Sequence, residues 1–231
     1  MRPLLLPMVL MACASTATPP PHHGGEHHHD GHHTAGYHHR FDDVARWTAV
    51  FDNPERDAWQ RPDEVIAALA LTPDARVADL GAGTGYFAAR IAPRVATGRV
   101  WAIDIEPTMV RYLRERAERE HLGNLFGVLC TADDAMIPER VDVVLIVDTW
   151  HHIDNRVAYA RHLREALRPN GRVVIVDYTQ ESPEGPPPAM RLTPAQVDAE
   201  MTAAGYTRSG EPRSLPRQYV VTYRADGDAR P

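Results

Sequence analysis

A chain of 231 residues, 43% of them hydrophobic, suits one globular domain with extensions. A formal net charge of -6 argues against a nucleic-acid surface, since there is no overall basic excess, so no nucleic-acid partner is expected. All 25 basic residues are arginine, which removes Schiff-base and P-loop lysine chemistry, and the two cysteines, Cys13 and Cys130, cannot build a four-thiolate zinc site.

Taken in chain order, residues 1–12 are apolar behind Arg2 and too short to span a bilayer. Leu10-Met11-Ala12-Cys13 resembles a bacterial lipobox, so 1–13 reads as a lipoprotein-like signal with membrane attachment through a lipidated Cys13. That places the chain in a bacterial envelope; the alternative is a cytoplasmic protein whose leader does not function. Residues 14–40 are of low complexity and hold nine of the 13 histidines. Such a composition cannot bury a core, and a disordered tether is expected. The imidazoles of His22, His23, His27, His28, His29, His32 and His33 are chemically suited to Zn, Ni or Cu. A merely solvated tether is the competing reading.

Residues 41–225 read as the folded domain and 226–231 as a disordered tail. Helical patterns cover 41–51, 54–60 and 63–71, the last with Val65, Ile66, Leu69 and Ala70 on one face. A buried strand over 76–80 leads into a helix over 86–95. A second strand over 99–104 is followed by a helix over 107–121, started by Pro107 at the first helical position. Strands follow at 125–130 and 141–147; the latter is continuously apolar, as in a central parallel strand. A helix over 157–167, a turn at 168–171, a strand over 172–177 and a Pro-rich loop at 181–189 come next. A helix over 194–204 stops at Gly205, and 206–211 with 218–224 close as a hairpin. The alternation calls for an α/β sheet with right-handed crossovers.

One segment carries more chemistry than the rest. Val77-Ala78-Asp79-Leu80-Gly81-Ala82-Gly83-Thr84-Gly85 is an apolar strand ending in an acid, then three glycines alternating with small residues. Glycines in such a turn let backbone N–H groups approach a ligand. The spacing differs from the G-x-G-x-x-G of nicotinamide enzymes. Asp104 ends the second strand about 20 residues later, where this architecture binds ribose hydroxyls. With Ala102-Ile103-Asp104-Ile105-Glu106-Pro107, Ala132-Asp133-Asp134-Ala135-Met136-Ile137-Pro138 and Arg168-Pro169-Asn170-Gly171-Arg172-Val173-Val174-Ile175-Val176-Asp177, it makes the chain from about 41 to 224 resemble class I S-adenosylmethionine (SAM) methyltransferases. The similarity is to the ubiquinone/menaquinone-biosynthesis-like, small-molecule group.

The resemblance implies a three-layer, Rossmann-like, seven-stranded sheet, mostly parallel with an antiparallel last strand. It implies SAM as cofactor and a small-molecule methyl acceptor. By position, Asp79 and the backbone at Gly81, Gly83 and Gly85 would hold the methionine end, and Asp104 the ribose. Ile105 would pack on adenine. Asp133, or its neighbour Asp134, would accept from the adenine amino group, and Asp148 would face the methionine region. His151 and His152, after the fourth strand, are candidate catalytic residues: a histidine there could deprotonate a phenol, enol or thiol, or ligate a metal. The bland alternative is that one caps the next helix while the other packs. Adjacent side chains are expected to diverge, so the two would not share a task. Tyr178 is a further pocket candidate. The region of Trp47, Trp59 and Arg61 reads as a lid or, equally, as core packing. The competing function is a metal-binding envelope lipoprotein that keeps this fold without turnover.

Overall fold

The computed structural model describes residues 43–226. Cys13, the seven candidate metal histidines, the tether and the tail beyond 226 lie outside the described residues.

Eight strands form one sheet: β1 (Arg76–Leu80), β2 (Arg99–Asp104), β3 (Leu125–Leu129), β4 (Val141–Val147), β5 (Leu167–Tyr178), β6 (Tyr206–Arg208), β7 (Arg213–Ser214) and β8 (Gln218–Ala225). Their order is β3-β2-β1-β4-β5-β8-β6, with the two-residue β7 paired on β8. The first five strands run parallel, and β8 is antiparallel to β5, β6 and β7. This is the expected Rossmann-like sheet with a reversed last strand, plus one short extra strand. The predicted closing hairpin forms: β6 pairs antiparallel with β8, whose other edge pairs with β5.

Helices are α1 (Val44–Phe51), α2 (Arg56–Gln60), α3 (Pro62–Ala68), α4 (Ala88–Ile91), α5 (Pro107–Arg119), α6 (Arg156–Glu165) and α7 (Pro194–Ala203). Two apolar layers flank the sheet, and β4 feeds both. Val143, Leu145 and Val147 join α3, α4 and α5 on one face, while Val144 and Ile146 join Trp150, α6 and α7 on the other. That two-sided burial is why β4 is a continuous apolar run.

Several boundaries differ from the sequence reading for local reasons. α3 stops at Ala68 because Ala70 turns left-handed (φ 44°) and Arg172 donates to the carbonyls of Leu69 and Ala70. The helix predicted over 86–95 is α-helical only as α4. Pro93 lacks an N–H, and Ala92–Val95 tightens into a 3₁₀ turn. α5 ends two residues early, before His121 at φ 56°. The turn expected at 168–171 is an irregularity inside β5: Val141 pairs with Leu167 but Val143 with Arg172, and Asn170 takes φ 65° to absorb the excess.

Candidate functional site

The glycine turn follows β1 at the carboxyl edge of the sheet, where α/β folds bind ligands. Gly81, Gly83 and Gly85 have φ of 74°, 55° and 85°. A Cβ on Gly81 would lie 2.1 Å from Thr149 Oγ1, and one on Gly83 would lie 3.3 Å from the Phe51 ring. The turn's amides are committed within the protein. Gly81 and Ala82 donate to the Ile103 carbonyl, Gly83 donates to Asp104 Oδ2 at 2.8 Å, and Gly85 donates to the Ala82 carbonyl. The N–H groups of Gly81, Gly83 and Gly85 are thus engaged in the turn and at the end of β2. The glycines act by close approach, and their amides fasten the turn to the end of β2.

Asp104 is therefore fixed on both sides, accepting from Gly83 through Oδ2 and from the Glu106 amide through Oδ1 at 2.9 Å. A carboxylate has about four lone-pair sites, so acceptor capacity remains for ligand hydroxyls. Burial raises its pKa, against the pull of those amides. Asp79 is 3% exposed, and its Oδ2 has no hydrogen-bond partner. Burial raises its pKa to about 7, opposed by the Ala88 amide and the positive charge of Arg56.

Asp148 ends the segment after β4 with a left-handed backbone (φ 52°), uncommon outside glycine. Its carboxylate receives Gln218 Nε2 at 2.5 Å and Gln60 Nε2 at 3.4 Å, and Arg56 Nη2 stands 3.8 Å away. Burial and the charge of Asp177 raise its pKa to about 7. Arg56, Gln60, Gln218 and Asp177 were not singled out by the sequence. Asp177 was legible as an acid ending a strand at the same edge; Gln60 and Gln218 carried no signal before the fold brought them 3.0 Å apart.

His151 is the best-anchored histidine. Its Nδ1 lies 2.9 and 3.0 Å from the two oxygens of Asp177, itself fully buried. Burial pushes the His151 pKa down, but the bond to Asp177 and the charges of Asp177 and Asp148 outweigh it, leaving it raised. The rings of His151 and His152 have centroids 4.2 Å apart at 43°, so the expected divergence of adjacent side chains does not occur. Both sit in the 3₁₀ turn Trp150–His152. Trp150 fixes that turn: it is fully buried, and its Nε1 donates to Glu200 of α7 at 2.9 Å. Among the described residues no group of three or more His, Cys, Asp or Glu is placed to hold a metal.

The adenine side is more open. Ile105 is 51% exposed. Asp133 and Asp134 are exposed on the loop before β4; Asp134 Oδ1 caps the Met136 amide at 2.8 Å. The Asp133 carboxylate has no partner among the described residues.

α1 and α2 lie over the glycine turn. Phe51 faces Gly83, Asp52 accepts from Thr84 Oγ1 at 3.0 Å and pairs with Arg116 at 3.2 Å, and Asp57 accepts from Tyr86 Oη. Trp47 stacks on Phe51, and Trp59 reaches Tyr178 with ring centroids 6.2 Å apart; neither tryptophan is fully buried. Arg61 points elsewhere, pairing with Glu64 on the surface.

Residues 77–171 match the family described as a methyltransferase domain. A ubiquinone/menaquinone biosynthesis C-methyltransferase of Cupriavidus taiwanensis is 26% identical over 117 residues, covering 50% of this chain and 48% of the relative. An uncharacterized methyltransferase of Mycobacterium bovis is 34% identical over 128 residues, covering 55% and 49%. The chain thus spans about half the length of the curated relatives it matches. Among solved structures, a SAM-dependent methyltransferase from Aquifex aeolicus superposes with a TM-score of 0.71 at 22% identity, over 78% of this chain and 97% of that one. A glycopeptide N-methyltransferase complexed with SAM has a TM-score of 0.59 at 16% identity, over 72% and 87%. The fold is that of solved SAM-dependent methyltransferases, and residues 77–171 carry the sequence of a methyltransferase domain.

Proposed function

We propose that the chain is a SAM-dependent methyltransferase acting on a small acceptor through an oxygen, carbon or sulfur nucleophile. One observation carries the reading. Two buried carboxylates, Asp79 with an orphan oxygen and Asp104 with spare acceptor capacity, flank a glycine-rich turn at the sheet's carboxyl edge. A buried carboxylate oxygen without a donor is costly, and an ammonium group is a fitting partner for it. SAM supplies such an ammonium, two ribose hydroxyls and a methyl group on a sulfonium. Asp79 would hold the ammonium and Asp104 the ribose, while Ile105 packs on adenine and Asp133 or Asp134 takes the adenine amine. Arg56 and Asp148 border the methionine end, and Gly81, Gly83 and Gly85 shape the turn.

The protein's own part is positioning and proton handling. Asp177 takes the Nδ1 proton of His151 in a hydrogen bond, which leaves Nε2 as the acceptor for a proton from a hydroxyl or thiol. The ring of His152 lies beside that of His151 in a tilted contact. Quinone-like, phenolic and thiol acceptors all suit this arrangement.

Titration calorimetry with SAM and S-adenosylhomocysteine tests the reading. Both should bind, and Asp104→Ala should weaken binding about 10- to 100-fold, as expected for losing hydrogen bonds to a charged acceptor. Absence of heat with either nucleoside would overturn the enzyme reading and favour the non-catalytic, metal-binding alternative. Unchanged affinity in Asp104→Ala would remove the ribose assignment.

A further inference from the structure

The end of the sheet opposite the glycine turn carries a charge arrangement that methyl transfer does not use. The register of β5 and β8 sets Arg172 directly opposite Arg224. Like charges facing each other across a ladder destabilise it. Burial and then the neighbouring Arg224 charge pull the Arg172 pKa down. A third arginine, Arg213, stands on β7, whose partner Val220 lies on the same face of β8 as Arg224. All three line a cavity of about 540 Å³ between the end of α3 and the turn after β6, together with the hydroxyls of Ser209 and Thr222.

Among the described residues none of these guanidiniums touches a carboxylate. Arg172 donates through Nη2 to the carbonyls of Leu69 and Ala70, which leaves Nη1 and Nε uncommitted. Arg224 donates through Nη1 to the Asn170 carbonyl at 3.1 Å. Arg213 has no hydrogen bond or ion pair among the described residues. Asp142, the nearest acid to act on Arg172 electrostatically, is held by Arg168 at 3.3 Å. The one acid lining the cavity, Glu211, is engaged by Arg208 at 3.7 Å. Other half-exposed arginines of this domain do find acids: Arg94 pairs with Asp63 and Arg99 with Glu139. Three unneutralised guanidiniums around one cavity, two of them forced face to face, leave a vacancy for negative charge.

We propose that this cavity binds a phosphate-bearing ligand, with Arg172, Arg213 and Arg224 as its cationic walls and Ser209 and Thr222 as neutral donors. Planar guanidiniums match phosphate oxygens two at a time, which a scattered surface charge does not. The bound anion would also relieve the Arg172–Arg224 repulsion, so binding should stabilise the antiparallel end of the sheet. The same chemistry is offered by a free phosphorylated metabolite and by an anionic lipid headgroup.

The test uses the full chain at low ionic strength, with inorganic pyrophosphate as one probe and phosphatidylglycerol vesicles as the other. Pyrophosphate should bind by calorimetry and raise Tm. Arg213→Gln/Arg224→Gln should weaken it at least tenfold while leaving SAM affinity unchanged, and Arg213→Gln alone, which removes no internal bond, should give an intermediate loss. If the source is a lipid, the vesicles should sediment the parent chain more than the double variant; if it is a free metabolite, only the pyrophosphate arm should respond to the substitutions. Failure of both probes to bind, or equal binding by parent and double variant, would overturn the proposal.

Discussion

Asp79 shows how a single side chain couples stability to ligand binding. Its pKa is raised to about 7 by burial, well above the ordinary carboxylate range near 4. An acid raised in the folded state favours the protonated form, so its ionisation destabilises the fold as pH climbs from about 4 toward 7, with no further change above. Asp79→Asn should therefore raise Tm at pH 8 but not at pH 4, and it should sharply weaken SAM binding at pH 8, where the parent carboxylate is ionised. In the parent chain SAM affinity should rise as pH passes upward through about 7, since only the carboxylate pairs with an ammonium. A pH-independent Kd between 6 and 8 would refute the pairing. His151 is also raised, and its sign is the same: the stability it contributes is complete below about 6.5 and is lost as pH rises through its folded value. As a base it must be neutral, so kcat should climb on the alkaline side of that value. Asp177→Asn should lower kcat and move this limb to lower pH, because the charge that raises the pKa is gone, while KM for SAM stays constant. A uniform loss with an unmoved limb would make Asp177 structural only. Asp79, Asp104 and both histidines were legible in the sequence because strand-end acids and a glycine turn have a local signature. Arg56, Gln60 and Gln218 were not, because the contacts that bring them to Asp148 join residues far apart along the chain.

Among the elements, the loop after β5 is the one whose order the sequence concealed. Its proline and glycine content reads as a plain connector, yet Arg191, 7% exposed, gathers it from within. The guanidinium donates to the carbonyls of Thr179, Gln180, Ser182, Glu184 and Pro186. The loop in turn lays Gly185 (φ 97°) against the Tyr178 ring, beside Trp59 and the His151 turn. A lysine has one point charge and three rotatable donors and cannot span five carbonyls. Arg191→Lys should cost about 2–4 kcal/mol of stability, since buried carbonyls lose their donors. It should also raise KM for the acceptor while SAM affinity is kept. An acceptor KM equal to the parent's would separate this loop from the site. Element boundaries moved where a tertiary contact competed with helical pattern, as at Ala70, where Arg172 satisfies the carbonyls of a shortened α3.

For the molecule as a whole, charge is distributed by function along the sheet. The carboxyl edge gathers Asp79, Asp104, Asp148 and Asp177, suited to a cationic nucleoside. The opposite end of β5 and β8 presents Arg172 and Arg224 facing each other, neither paired with an acid among the described residues. Nothing in a net charge of -6 foretells this separation. It arises because parallel strands place all their carboxyl ends on one side, while β8, running the other way, returns Arg224 to the far end beside Arg172.

The succession of strands along the chain, the glycine turn and the acids that close β1 and β2 were determined by the sequence itself, since they depend on residues within one turn or one strand of each other. The spatial order of the strands, the cover of α1 and α2, the Gln60–Asp148–Gln218 network, the bond of His151 to Asp177 and the opposed arginines were decided only by the tertiary structure. Those pairings join residues as far apart as 158 positions, and no local propensity encodes a contact that exists only after the sheet has assembled.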